Sequence, residues 1–306
     1  MVNLEECRIY VQDLMTRFAF PLDAHKTFMD AFEVILDDKT ASAWFSCLLQ
    51  QYEDSEHCAY NQILTDVKAM GKILGIHDYT ISLLIYLCMS KKLRCRYLER
   101  GIDDEIYFNS LLDLRYKLEE CRLVYGVNGS FVAHWFYRFF NLTRFALGRL
   151  QFELIQTKAH YIVGGREIAA GSNVINVHIP RTGARLEHSE VLQAYKKAAE
   201  FFSSDFDEQP IVFTCCSWLL DPWNLTVLSH SSNLTAFCKD YQIVETGFYD
   251  GYGEMWRLFD CVCTNNLAKL PQDSSLRRAY VKRMECGEPV GWGRGLFLYD
   301  NGTIIH

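Results

Sequence analysis

The sequence predicts an α+β protein, with a helical N-terminal domain over residues 1–101 followed by a mixed α/β domain over residues 102–306. Three observations predict it. The first hundred residues repeat apolar side chains at helical spacing and contain one proline, Pro21. Near residue 148 the pattern changes to strict alternation of apolar and polar residues. The last third then reads as strand, basic loop, helix, strand, helix and two strands. A length of 306 residues suits two domains.

Leu4, Cys7, Val11, Leu14 and Phe18 begin the helical pattern. Further helices are predicted near residues 27–36, 40–52, 60–74 and 80–96, with breaks at Pro21 and at Gly75-Ile76-His77-Asp78. Gly101-Ile102-Asp103-Asp104 reads as the domain boundary, and either aspartate can cap the next helix. That helix carries Tyr107, Leu111, Leu114, Leu118, Cys121 and Tyr125 on one stripe and ends at Gly126. A short aromatic helix is expected at 131–140. In the strand that follows, Leu150, Phe152 and Leu154 face one way, and Arg149, Gln151 and Glu153 the other. His160-Tyr161-Ile162-Val163, with the Gly164-Gly165 turn, is its expected hairpin partner.

The run from Val174 to His178 is a β-branched strand stopped by Pro180. The loop Arg181-Thr182-Gly183-Ala184-Arg185 leads into an amphipathic helix near 189–202. A second buried strand covers 210–216, a helix covers the region from Asn233 to Tyr241, and a hairpin closes the unit. A tail helix is expected from about Ser274 to Glu285. Gly287 to Gly295 reads as a glycine-rich turn with Arg294 exposed, and 295–299 as a last strand.

A net charge of −7 excludes nucleic acid as the main partner. The chain has no apolar run long enough to span a membrane and no basic, apolar leader at its start, so the expected compartment is the cytoplasm. The twelve cysteines are scattered, without a CxxC pair, and Cys47, Cys88, Cys121 and Cys238 occupy apolar positions of periodic segments. Cys215 and Cys216 point to opposite faces of a strand and cannot hold one ion together. No metal site is expected, and cysteine serves as a small hydrophobe.

Several segments carry a resemblance: Leu147-Gly148-Arg149-Leu150-Gln151-Phe152-Glu153, Val177-His178-Ile179-Pro180, Ser217-Trp218-Leu219-Leu220-Asp221-Pro222, Ser232-Asn233-Leu234, Leu270-Pro271-Gln272 and Gly291-Trp292-Gly293-Arg294-Gly295. With the element order, they resemble a bacterial family in which a helical N-acyltransferase domain precedes a GNAT-like domain. The resemblance implies a GNAT-like mixed α/β domain and an acyl donor, acetyl-CoA or another acyl-CoA. The phosphate-binding position falls on Arg181, Gly183, Ala184 and Arg185, where backbone amides and a helix start would meet the anion. The position of the family's tyrosine that protonates the leaving thiolate falls on Asp240, with Tyr241 one step on.

Acyl transfer to an amine needs a base, a donor to the carbonyl oxygen and an acid for the thiolate. His178, Glu153 and Ser217 lie beside apolar strands at the expected cleft, and with Tyr241 they are the candidate catalytic residues. Each has a structural rival: a core histidine, a Glu153–Arg149 pair and a turn cap at Ser217. Cys215 or Cys216 as a thiol nucleophile is a further alternative. The expected function is direct N-acyl transfer to a small-molecule or peptide amine. The alternative is a non-catalytic GNAT-like module that has lost its cofactor.

Overall fold

Side-chain caps set the helix starts of the first third. Asn3 accepts from the amides of Glu5 and Glu6 and opens α1 (Leu4–Arg17). After α2 (Leu22–Asp37), Asp38 caps α3 (Lys39–Asp54). Next, α4 (Tyr60–Leu74) ends on left-handed Gly75. His77 caps α5 (Asp78–Glu99), and Asp103 caps α6 (Asp104–Tyr125). Every residue of α5 from Thr80 to Ser90 is buried, because α1, α2, α3, α4 and α6 all pack on it. A short α7 (Tyr137–Phe140) follows a single 3₁₀ turn, in place of the longer aromatic helix expected at 131–140.

The computed structural model describes residues 1–207, 209–263 and 266–306 and divides into two units, Met1–Phe145 and Ala146–His306. The boundary therefore falls well after residue 101. Gly101 is a turn between two helices that pack together. Arg94 donates to both Asp104 oxygens at 2.9 and 2.8 Å, the Tyr107 hydroxyl reaches the Ser90 carbonyl at 2.8 Å, and the Tyr97 and Tyr107 rings meet edge to face. A glycine break marks the end of a helix, not of a core. Cys88 and Cys121 are buried as expected, whereas Cys47 is exposed.

The second unit begins where β1 (Arg144–Leu147) turns at Gly148 into β2 (Leu150–Gln156). A separate ribbon, β3 (Tyr161–Val163) with β4 (Arg166–Ile168), comes next, and then β5 (Asn173–His178). The ribbon corrects the expected hairpin. Gly164 and Gly165, both at positive φ, fold residues 161–163 onto 166–168, while β2 pairs with β5. The chain continues through α8 (His188–Phe201), β6 (Ile211–Ser217), α9 (Asn224–Val227), α10 (Asn233–Lys239) and β7 (Gln242–Phe248). It ends with α11 (Trp256–Phe259), α12 (Ser275–Glu285), β8 (Gly291–Asp300) and β9 (Thr303–Ile305).

The main sheet has the order β1-β2-β5-β6-β8-β7, with β9 on β8. In α8, Val191, Ala194, Tyr195 and Ala198 form the buried stripe. Tyr195 meets Phe152, Phe213 and Phe297 of the sheet, and Phe213 stacks on Phe297 at 4.9 Å. β7 and β8 are antiparallel neighbours, as the closing hairpin requires. The segment between them is no tight turn: residues 249–290 carry α11 and α12 around their own cluster of Met255, Phe259, Tyr280, Met284 and Val290.

Residues 291–295 are strand rather than turn. Their glycines permit close approach by Asp221 at Gly291, the Leu220 carbonyl at Gly293 and the Tyr241 ring at Gly295. Arg294 pairs with Glu245 of β7 at 2.9 Å. A Cβ at Gly293 would overlap the Leu220 carbonyl oxygen. Gly293→Ala is therefore expected to cost about 1–3 kcal/mol, read as a lower denaturant midpoint. Among the described residues, no helix is long and apolar enough to cross a membrane.

Candidate active site

β5 and β6 are a parallel pair whose described rungs are Ile175↔Phe213 and Asn176↔Thr214. Beyond them the two strands stay paired on their outer sides only. β5 continues against β2 to Gln151↔His178, and β6 continues against β8 to Ser217↔Gly293. The inner edges of Val177-His178 and Cys215-Cys216-Ser217 carry no rung to each other. The rungs between these two central strands thus end before their C-terminal ends, where backbone groups without a strand partner are available to a ligand.

The β2–β5 register puts Gln151 opposite His178 and Glu153 opposite Asn176. These four side chains share the face turned away from α8, because Phe152 on the other face packs against Tyr195. Glu153 Oε2 lies 3.1 Å from His178 Nε2, and Asn176 Nδ2 is also 3.1 Å from that nitrogen. The carboxylate is buried at 2 % exposure, while the imidazole keeps 17 %. Nε2 cannot donate to Glu153 and accept from Asn176 at once; with its hydrogen directed at an ionised Glu153, the Asn176 amide nitrogen is only a neighbour and Nδ1 carries the lone pair. The structure thus brings together two residues that the sequence placed on separate strands.

The loop after β5 is shaped by Arg149, whose guanidinium donates to the carbonyls of Pro180, Ala184 and Arg185 at 3.2, 3.3 and 3.4 Å. With these carbonyls drawn to one side, the Gly183 and Arg185 amides are left to serve another partner, while the Thr182 and Ala184 amides bond the Pro180 carbonyl and the Thr182 hydroxyl. Gly183 adopts a φ of 79°, and Gly183, Ala184 and Arg185 are exposed. No side chain caps α8, and its Glu190 amide bonds the Glu187 carbonyl at 3.0 Å, which leaves the His188 and Ser189 amides for an anion. Arg181 is tied to Asp260 at 2.7 Å, and Asp260 also holds Arg277 at 2.6 Å. Sequence reasoning missed Arg149 as the organiser of this loop, since nothing local distinguishes it from a strand-pairing arginine.

On the α8 face the arrangement corrects one expectation. Tyr241 is a core residue: its ring lies against Phe237 and Phe297, and its hydroxyl is 3.0 Å from that of Tyr195. Burial pushes both phenols well above their ordinary range. The glycine at 295 leaves the room that draws the ring inward. Neighbouring Asp240 instead meets His188, with Nε2 at 2.9 and 3.1 Å from the carboxylate oxygens and the Tyr195 hydroxyl at 3.4 Å. Burial raises the Asp240 pKa, and the His188 hydrogen bond pulls it back. Sequence reasoning missed this pair because its members come together only through the packing of α8 on α10.

Ser217 ends β6 and its Oγ accepts from the Leu219 amide at 3.2 Å, so it caps the 3₁₀ turn Trp218–Leu220. Cys215 is buried and Cys216 exposed, and burial raises both thiols. Raised thiols disfavour the thiolate that a covalent acyl-enzyme needs.

A family model described as a GNAT-like C-terminal domain matches residues 144–297, and one described as an N-acyltransferase N-terminal domain matches residues 10–142. An acyltransferase solved with decanoyl-CoA and teicoplanin is similar to this chain at 22% identity and a TM-score of 0.74, over 95% of this chain and 88% of that one. An acyltransferase mutant solved with octanoyl-CoA gives 22% and 0.76 over the same shares. One solved with CoA and 10C-teicoplanin gives 22% and 0.74, over 94% of this chain and 86% of that one. These likenesses are of fold. A comparison with curated proteins found no match.

Proposed function

The chain belongs to the family that joins an N-acyltransferase N-terminal domain to a GNAT-like C-terminal domain, and from that premise we propose that it transfers an acyl group from an acyl-CoA thioester directly to an amine. The observation that carries this reading is the end of the β5–β6 rungs at Asn176↔Thr214, which we read as a V where the strands part, next to the buried Glu153–His178 pair. The site fits such a donor. The V takes the thioester, and backbone groups of Val177–Ile179 on its inner edge polarise the carbonyl. Gly183, Ala184, Arg185, the open amides of α8 and the outward side of Arg181 meet the phosphates.

His178 removes the proton from the acceptor ammonium, and Glu153 holds the imidazole in register and stabilises the imidazolium. The amine attacks the thioester carbonyl, and the C–S bond breaks. No covalent enzyme intermediate is needed, in keeping with the raised cysteine thiols. Complexes of the fold neighbours with octanoyl- and decanoyl-CoA support an acyl-CoA donor here, and those with teicoplanin support an acceptor on the scale of a small molecule or peptide. The buried Glu153–His178 pair beside the end of the β5–β6 rungs favours an enzyme over a module that has lost its donor.

Titration calorimetry with acetyl-, octanoyl- and decanoyl-CoA tests the reading. Saturable heat is expected for at least one donor. Absence of heat for all three at on the order of 1 mM overturns it.

A further inference from the structure

In residues 291–295 three glycines alternate with Trp292 and Arg294, and the alternation sorts by face. Gly291, Gly293 and Gly295 lie against Asp221, Leu220 and Tyr241, on the side of β8 where Phe297 meets Tyr195 of α8. Trp292 and Arg294 therefore point to the opposite side, away from α8. That is the side of Glu153 and His178. The strand registers lay out a row across it. From the last β5–β6 rung, Asn176↔Thr214, two steps along each parallel strand reach His178 and Cys216. Cys216 is the β6 partner of Arg294, and Arg294 is the β8 partner of Glu245. His178 and Arg294 thus stand two strand spacings apart, on the order of 10 Å at the backbone, with Cys216 between them.

The row is open and charged. Cys216 and Glu245 are exposed, and His178 and Arg294 are partly so. One end of this face is closed by the β3–β4 ribbon, whose Val163 and Ile168 cluster with Val174, Val212, Leu296 and Leu298. The polar row begins where that apolar cover stops. Arg294 gives its Nε hydrogen to Glu245 at 2.9 Å. Among the described residues its Nη1 and Nη2 make no hydrogen bond, which leaves the two-pronged end of the guanidinium for a carboxylate. Beside it the half-buried Trp292 indole lies over Gly247, where a Cβ would come within 2.6 Å of the ring, and walls the row at β7. We propose that this row is the acceptor subsite and that the acceptor is an amine carrying a carboxylate, held by Arg294 while His178 takes the ammonium proton. The two-strand span suits a carboxylate several bonds from the nitrogen, as in a short peptide. The proposal rests on the acyl-transfer reading. In the balanced step the amine nitrogen bonds to the carbonyl carbon and the C–S electron pair stays on sulfur. Of the two protons that leave the ammonium nitrogen, one passes through His178 to solvent and one ends on the CoA thiol.

The test uses the full chain with octanoyl-CoA as donor and triglycine, triglycinamide or hydroxylamine as acceptor. The two peptides share one amine and differ in the carboxylate; hydroxylamine is neutral near pH 7.5 and has no carboxylate. Initial rates of CoA release give kcat/KM for each acceptor. Wild type is expected to favour triglycine over its amide by about tenfold or more, chiefly through KM. In Arg294→Gln that ratio should fall to within about threefold of unity. In Glu245→Gln, which frees the guanidinium from its ion pair, the ratio should hold or rise. A wild-type ratio within about threefold of unity, no rate with either peptide while hydroxylamine is acylated, or an undiminished ratio in Arg294→Gln overturns the assignment. Should Arg294→Gln melt below the assay temperature, Arg294→Lys, which keeps the charge and loses the fork, decides: its ratio should be at least about threefold below that of wild type, and an unchanged ratio overturns the assignment. A wild type with no rate on hydroxylamine or either peptide refutes the acyl-transfer reading itself, a distinct outcome.

Discussion

His178→Ala is expected to lower turnover with an amine acceptor by about 10²–10⁴-fold, the range over which a positioned general base acts. The imidazole has the attributes of such a base. It ends a central strand at the mouth of the V, it is partly open, and a carboxylate buried at 2 % exposure takes its Nε2 hydrogen. Glu153→Gln leaves the ring but replaces the anion that stabilises its charged form, so a smaller loss is expected. With neutral hydroxylamine as acceptor the His178→Ala deficit should shrink, since no ammonium proton has to be removed. Initial rates of CoA release with the two acceptors, together with a thermal melt, check this. An equal deficit for both acceptors would mean that His178 shapes the site without acting as base.

Asp221→Ala is expected to destabilise the second unit by about 3–5 kcal/mol, the usual consequence of leaving one buried charge without its partner. Asp221 accepts from Arg283 at 2.7 Å, and from the amides of Gly291 and Trp223, each at 3.1 Å. The two charged side chains are 5 % and 9 % exposed, so water cannot replace the lost anion. Arg283 also stacks on Trp223 and has a buried Nε without a partner, which adds to its dependence on this carboxylate. The three contacts join α12, the turn after β6 and the first residue of β8. Their loss should therefore loosen the V from the β6 side as well as lower the melting midpoint. Urea unfolding of Asp221→Ala and Asp221→Asn measures the effect, with the larger loss in the alanine variant.

The helices and the order of the main strands could be read from the sequence because each follows a local rule. Residues 60–74 are apolar at helical spacing and are stopped by Gly75, and the α4 helix has those bounds. Asp103 was one of two expected caps, and it makes the capping bond. Long-range geometry was less legible. The Gly164-Gly165 turn signalled a hairpin but not which strands it joined. The Gly291-Gly293-Gly295 spacing resembles a turn until Asp221, Leu220 and Tyr241 are seen packed against it. At the site, the alternation of β2 placed Glu153 on a polar face, yet only the β2–β5 register brings His178 onto that face beside it. The His188–Asp240 pair spans two elements with no shared motif, and Arg149 works through backbone carbonyls that have no sequence signature.

A crystal structure with a non-transferable thioether analogue of octanoyl-CoA tests the central claim most directly. The account predicts the analogue's sulfur between Val177 and Cys215, its diphosphate against residues 183–188, and the reacting end of the acyl group within reach of His178. An analogue bound elsewhere, or β5 and β6 joined by further rungs past Asn176 and Thr214 with the ligand outside them, would contradict it.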